Sequence, residues 1–150
     1  MLQPLLVSVV LVAITVVIHA FGTTHWMYFL MRRFVHNDGN FKEGKSLPAV
    51  IWTAVVLMLL HMAEVVIWAV AYLLLAPISS LDTFEKAIYF SVVTFTTLGY
   101  GDITLSENEW RMLSGIEALN GILLVGWTTA FLYAVVQRGW SESARARQGD

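Results

Sequence analysis

Apolar positions fall into three long runs, separated by two polar interruptions of different character. The first run extends from Leu5 to about Met31, with Ser8, Thr15, His19, Thr23, Thr24 and His25 as its polar positions, and ends at Arg32-Arg33. A stretch rich in glycine and charge follows, from Asn37 to Ser46. Pro48 opens the second run, where proline is tolerated in a first helical turn because its missing N–H would be unpaired anyway. That run lasts to about Ala76 and stops at Pro77. The third extends from about Trp110 to Val136. A helix crosses the hydrocarbon of a bilayer with about 20 apolar residues, so each run predicts a membrane-spanning helix.

The interruption before the third run has its own pattern. Ser79 to Thr83 reads as a turn, and Asp82 followed by Glu85 predicts a capping box that opens a short helix, roughly Thr83 to Phe95. This helix is too short to span, and the segment Thr96-Thr97-Leu98-Gly99-Tyr100-Gly101-Asp102 follows it. A short helix and irregular backbone persist at membrane depth only when buried in protein or lining a water-filled cavity. The expectation is therefore a re-entrant loop. The predicted fold class is an all-α membrane protein with three transmembrane helices plus a re-entrant helix and loop.

Composition narrows the class. Of 150 residues, 57% are hydrophobic and 13% charged, against about 25% charged in a soluble domain. Mean hydropathy is +0.67. A net charge of -2 points to no nucleic-acid partner, and the absence of cysteine excludes disulfides and thiolate metal sites. The N-terminus lacks the basic stretch of a signal peptide, so the first run is expected to be a retained helix.

Lysine and arginine placement predicts orientation. Arg32, Arg33, Lys42 and Lys45 lie after the first span, and Arg138, Arg145 and Arg147 after the third. Lys86 and Arg111 lie on the opposite side. The first loop and the tail are thus expected in the cytoplasm and the N-terminus outside, in a cell (inner) membrane. Trp26, Tyr28, Trp52, Trp110 and Trp140 fall near helix ends, where amphipathic rings anchor at the interface. No span carries arginine at every third position, so no voltage sensor is expected.

Candidate chemistry centres on the segment Thr96 to Asp102. A potassium ion in a narrow pore must exchange its hydration water for oxygens of the pore wall. Backbone carbonyls supply these when successive ones point the same way, which calls for alternating conformations with some positive φ. Glycine adopts these without penalty, and Gly99 and Gly101 stand at such positions. The carbonyls of Thr97, Leu98, Gly99 and Tyr100, with the Thr97 hydroxyl, would form stacked K+ sites. Thr96 and Asp102 bound the segment as its supports. The short helix aims its partly negative C-terminal end at the cavity, which favours a cation.

These residues carry a resemblance. Phe84 to Val136 resembles the pore domain of the potassium channel superfamily, on a filter that is itself the standard case for carbonyl-based selectivity. The chain looks like a bacterial ion-channel family with one extra helix before the outer helix, and the likeness covers Pro48 to Gln137. The resemblance implies hinge glycines at Gly121 and Gly126, and a cavity lined by Ile122, Val125, Thr129 and Tyr133. The spacing of those four by three to four residues independently puts them on one helical face. Leu98 stands where valine or isoleucine is usual. Val93 stands where several bacterial relatives carry a glutamate, so Tyr89 is expected to hydrogen-bond Asp102 instead.

Ionisable residues inside the spans form a second set. Ser8, Thr15, His19 and Gly22 share a stripe of the first helix, and Thr53, His61, Glu64, Trp68 and Tyr72 a stripe of the second. Charge at mid-bilayer costs on the order of 3 kcal/mol, so both stripes should face protein. Counting from the helix ends puts His19 and His61 at similar depth. One reading is an interhelical hydrogen-bond cluster that docks the first helix. The other is a proton or metal sensor, since His-x-x-Glu presents two ligands on one face. Glu117, two turns into the third span, is expected to pack near the short helix.

The expected organisation is a peripheral helix (1–34), a cytoplasmic loop (35–47), a pore domain (48–137) and a cytoplasmic tail (138–150). The pore domain divides into an outer helix (48–76), a pore helix (83–95), a filter (96–102) and an inner helix (110–137). One filter strand cannot surround an ion, so a homotetramer is expected, each chain joined by three further copies. The expected function is passive, selective K+ permeation without an enzyme activity or a cofactor, with K+ and membrane lipid as partners. A weakly selective cation channel and a non-conducting accessory membrane subunit are the alternatives.

Overall fold

The computed structural model describes residues 2–36, 41–42, 44–75, 80–105 and 110–146, the last six of these by backbone alone. Asn37 to Asn40, the expected stop at Ala76 and Pro77, Ser79 and Arg147 lie outside the described residues. Four helices make up the fold: α1 (Leu2–Phe34), α2 (Ser46–Leu75), α3 (Phe84–Phe95) and α4 (Arg111–Ala146). All of α1, all of α2 and Arg111–Trp140 of α4 are long and apolar enough to cross a membrane.

Three boundaries differ from the sequence reading. α2 begins at Ser46, ahead of the expected opening at Pro48 and inside the expected loop 35–47, and proline is accommodated within the first turn because its missing N–H would be unpaired there. The expected end of the third span at Gln137 is overrun, because α4 continues to Ala146. Hydropathy stops there, but Glu142, Ala144, Arg145 and Ala146 are good helix formers and no proline intervenes. At the start of α3 the cap is Thr83, not Asp82: its backbone is extended and its hydroxyl accepts from the Lys86 N–H at 3.3 Å. Asp82 is drawn away by the Lys86 ammonium at 2.7 Å, so no Asp82–Glu85 capping box forms.

α1 and α2 form an antiparallel hairpin. Its turn is closed by the Lys42 N–H donating to the Phe34 carbonyl at 2.9 Å and by an isolated bridge between Val35 and Phe41. α3 packs against both α2 and α4, and α1 lies across α2 and α4.

The apolar core is split in two. One cluster joins Leu11 to Trp68, Tyr72, Phe90, Phe95, Leu113 and Leu124. The other joins Leu30, Val35, Phe41, Ala49 and Val135 at the opposite end of the bundle. Between the two clusters lie His19 and Thr23 on α1, Thr53, His61 and Glu64 on α2, and Thr128 on α4. Four buried hydroxyls bond back to their own helix: Ser8 to the Pro4 carbonyl, Thr15 to Leu11, Thr23 to His19 and Thr53 to Ala49. Such bonds make a hydroxyl tolerable without water. Two further bonds cross between helices: Asn120 Nδ2 donates to Thr15 Oγ1 at 2.8 Å, and Trp26 Nε1 to Thr53 Oγ1 at 3.0 Å.

Candidate functional site

The segment Thr96 to Asp102 leaves α3 through a tight reversal. The Leu98 N–H donates to the Val93 carbonyl at 2.9 Å and the Thr97 N–H to the Thr94 carbonyl at 2.9 Å. These are the two bonds of a Schellman cap, whose pivotal residue takes the left-handed conformation and is usually glycine. Here it is Thr97, with φ of 59°. Gly99 (φ 57°) and Gly101 (φ 78°) also take positive φ, so the sign alternates along the segment. Glycine was expected at the last two positions; the β-branched Thr97 was not. A left-handed threonine costs on the order of 1–3 kcal/mol.

The segment is open in the subunit: Leu98 is 54% and Tyr100 68% exposed. Its outer end is tied to α3, where the Tyr89 hydroxyl donates to Asp102 Oδ2 at 2.7 Å. That bond holds the Asp102 carboxyl below the usual carboxylate range and raises the Tyr89 phenol. A carboxyl depressed in the folded state stabilises it above the unfolded pKa of about 3.9, and the contribution is lost as pH falls through the folded value. Tyr89→Phe is accordingly expected to lower the thermal unfolding midpoint at neutral pH, with the gap to the parent closing in acid below about pH 4. A gap that stays constant over that titration would remove the bond from the account.

The inner end of α3 rests on α4. A Cβ placed on Gly121 would overlap the Phe95 carbonyl oxygen and lie 2.8 Å from the carbonyl carbon. α4 is helical through this point, so Gly121 serves close packing, while a Cβ at Gly126 would meet nothing within 4 Å. Ile122, Val125, Thr129 and Tyr133 all lie exposed on α4. Thr129 Oγ1 donates to the Val125 carbonyl at 2.8 Å.

Of the intramembrane ionisable residues, three come together and one does not. His19 Nδ1 lies 2.8 Å from Glu64 Oε1, and His61 Nδ1 lies 2.9 Å from Glu64 Oε2. The two imidazoles stack with centroids 5.4 Å apart. Glu117 is bonded elsewhere: the Tyr72 hydroxyl donates to its Oε2 at 2.7 Å, locking α2 to α4. Sequence reasoning missed Thr128, whose hydroxyl lies 2.9 Å from His61 Nε2 and 3.4 Å from His19 Nε2. It also missed Asn120 and the Trp127 ring set edge-on to His19. A polar residue within an apolar span was their only trace.

A family model described as an ion channel matches residues 60–138, from the second half of α2 to the described part of α4 beyond Gln137. The chain is similar to two-pore potassium channel 4 of Arabidopsis thaliana, 37% identical over 46 residues, an alignment that covers 31% of this chain and 16% of that protein. The chain therefore matches a small part of that relative's length. No solved structure matches it. A match over more than half of the chain, with three helices able to cross a bilayer, makes it a multi-pass membrane transport protein rather than an enzyme. The chain belongs to the ion channel family, and residues 60–138 are the part that carries the match.

Proposed function

We infer that each chain is one subunit of a homotetrameric channel that passes K+ selectively down its gradient, with Thr96 to Asp102 as the filter. The observation that carries this reading is the alternation of φ at Thr97, Gly99 and Gly101. Positive φ at every second residue turns successive carbonyls to one side, which stacks oxygens for a dehydrated cation. The presence of threonine at the pivot supports the same reading. A turn that favours glycine on backbone grounds retains a hydroxyl, and that hydroxyl is the innermost ligand.

The open surfaces fit a fourfold assembly. One strand offers an ion only a quarter of its shell, and the exposed segment is completed by three copies around an axis. The face of α4 with Ile122, Val125, Thr129 and Tyr133 then lines the cavity below. α3 is the pore helix, seated on the inner helix at Gly121, and α2 the outer helix. α1 lies outside this pore domain. The basic loop between α1 and α2 and the end of α4 face the cytoplasm by the charge rule. Lipid surrounds the exposed apolar faces.

The test is the reversal potential of the purified protein in planar bilayers, with K+ on one side and Na+ on the other. The expected reversal lies near the K+ equilibrium potential. A reversal near zero would assign a weakly selective cation pore to the same fold. Absence of current at every voltage, from a verified tetramer, would favour an accessory subunit.

A further inference from the structure

The proposed ion path does not use the one group of three metal-ligating side chains found among the described residues. His19 and Glu64 are fully buried, and the His61 side chain is 14% exposed. Both Nδ1 atoms converge on one carboxylate, and both Nε2 atoms converge on one hydroxyl. Docking α1 does not call for this convergence. Asn120 to Thr15 and Trp26 to Thr53 already tie α1 to α4 and α2 by single neutral bonds.

We propose that His19, His61 and Glu64 form a site for one divalent transition-metal ion per subunit, Zn2+ being the best fit, with Thr128 as the outer partner of both imidazoles. One ligand atom from each residue lies within 4.8 Å of the others. A tetrahedral zinc with bonds of about 2.0–2.2 Å holds its ligands roughly 3.4 Å apart, so side-chain shifts on the order of an ångström close the set without moving a helix. Two imidazoles and one carboxylate suit zinc and its neighbours in the first transition row, and disfavour Mg2+ and Ca2+.

The outer contacts agree with this assignment. A metal on Nδ1 places the remaining proton of each ring on Nε2. Those two N–H groups then face Thr128 Oγ1 at 2.9 and 3.4 Å, where its lone pairs accept them. Outer partners of this kind fix the tautomer and aim the ring at the metal. Three protein ligands leave one position of a tetrahedral ion open for a water. Metal binding would clamp α1 to α2 and, through Thr128, to α4. The His61 ring also lies 5.8 Å from that of Phe95, whose carbonyl rests on Gly121. The clamp therefore sits directly behind the foot of α3.

The test is metal binding by the full-length protein in detergent, stripped by chelation and titrated with Zn2+, with Co2+ as an optical probe; it does not depend on ion flux. One Zn2+ per chain is expected, with a rise in the thermal unfolding midpoint and a visible Co2+ band of a low-coordinate site. Glu64→Gln and His61→Asn should each weaken Zn2+ binding by more than about 100-fold, and Thr128→Val by about tenfold. Either ligand variant suffices if the other fails to fold. Undiminished Zn2+ binding in a folded ligand variant would place the metal elsewhere and overturn the site. Failure of the parent protein to bind Zn2+ would do the same and leave a hydrogen-bonded docking cluster.

Discussion

Gly121→Ala is expected to unseat α3 from α4 and to lower the thermal unfolding midpoint. The added methyl would occupy the volume of the Phe95 carbonyl oxygen, with the carbonyl carbon 2.8 Å and Cα 3.1 Å away. These are backbone atoms at the end of a helix, so no side-chain rotation relieves the overlap. Forcing one methyl into a packed site typically costs about 1–3 kcal/mol, and a site with no adaptable neighbour lies at the top of that range. The helix-propensity gain of glycine to alanine, about 1 kcal/mol, opposes this and is too small to offset it. Gly115→Ala is the control: its Cβ meets nothing within 4 Å, so it should gain stability from the same propensity. Thermal unfolding of the two variants in detergent separates the effects. An unfolding midpoint for Gly121→Ala equal to or above the parent's would show that α3 does not need this contact.

The two outcomes expected at neighbouring glycines of one helix illustrate what a sequence carries and what it withholds. That α4 spans a membrane is legible from its apolar length. Which of its glycines is pressed against another backbone depends on how far the helix is rotated about its axis. The same limit applies to Thr128. His19 and His61 could be placed at similar depth by counting, because depth along a helix is linear in residue number, and Glu64 shares the stripe of His61. Their common partner on α4 required the rotation and crossing of a third helix. Glu117 was expected near the short helix, and it lies there: its partner Tyr72 sets its ring edge-on against Phe90 of α3. The end of α4 was misjudged for another reason. Hydropathy reports where a chain suits lipid, whereas helix formation continues wherever propensity permits, and Ser141 to Ala146 permit it. At the start of α3, both Asp82 and Thr83 are competent caps, and the competing Lys86 ammonium decided between them.

The segment Thr96 to Asp102 was legible as a motif, but only in part as a backbone. Its glycines announced positive φ at two positions. The third, at Thr97, follows from how α3 ends and not from the identity of the residue, which by itself argues for an extended backbone. Positive φ at a β-branched residue therefore has a cause outside local preference. In the proposed filter that cause is the ligand hydroxyl.

This gives the second large expectation, a pair of substitutions that separate stability from selectivity. Thr97→Gly removes the left-handed strain at φ of 59° and should hold the fold as well as the parent or better, by about 1 kcal/mol. It also removes one oxygen from every subunit at the innermost site. If that site's binding of K+ falls by roughly 1.4 kcal/mol relative to its binding of Na+, the preference for K+ drops about tenfold. Gly99→Ala acts oppositely on the fold: it places a Cβ at φ of 57°, a strain of about 1–2 kcal/mol per subunit. The segment is then expected to leave its alternating conformation, turn carbonyls away from the axis and lose selectivity as well. The two variants should therefore move thermal stability in opposite directions and the reversal potential in the same one. Retained selectivity in Thr97→Gly would deny the hydroxyl a ligand role and leave its strained backbone without a function. Retained selectivity in a folded Gly99→Ala would reach further, because the alternation of φ would then no longer be what selects the ion.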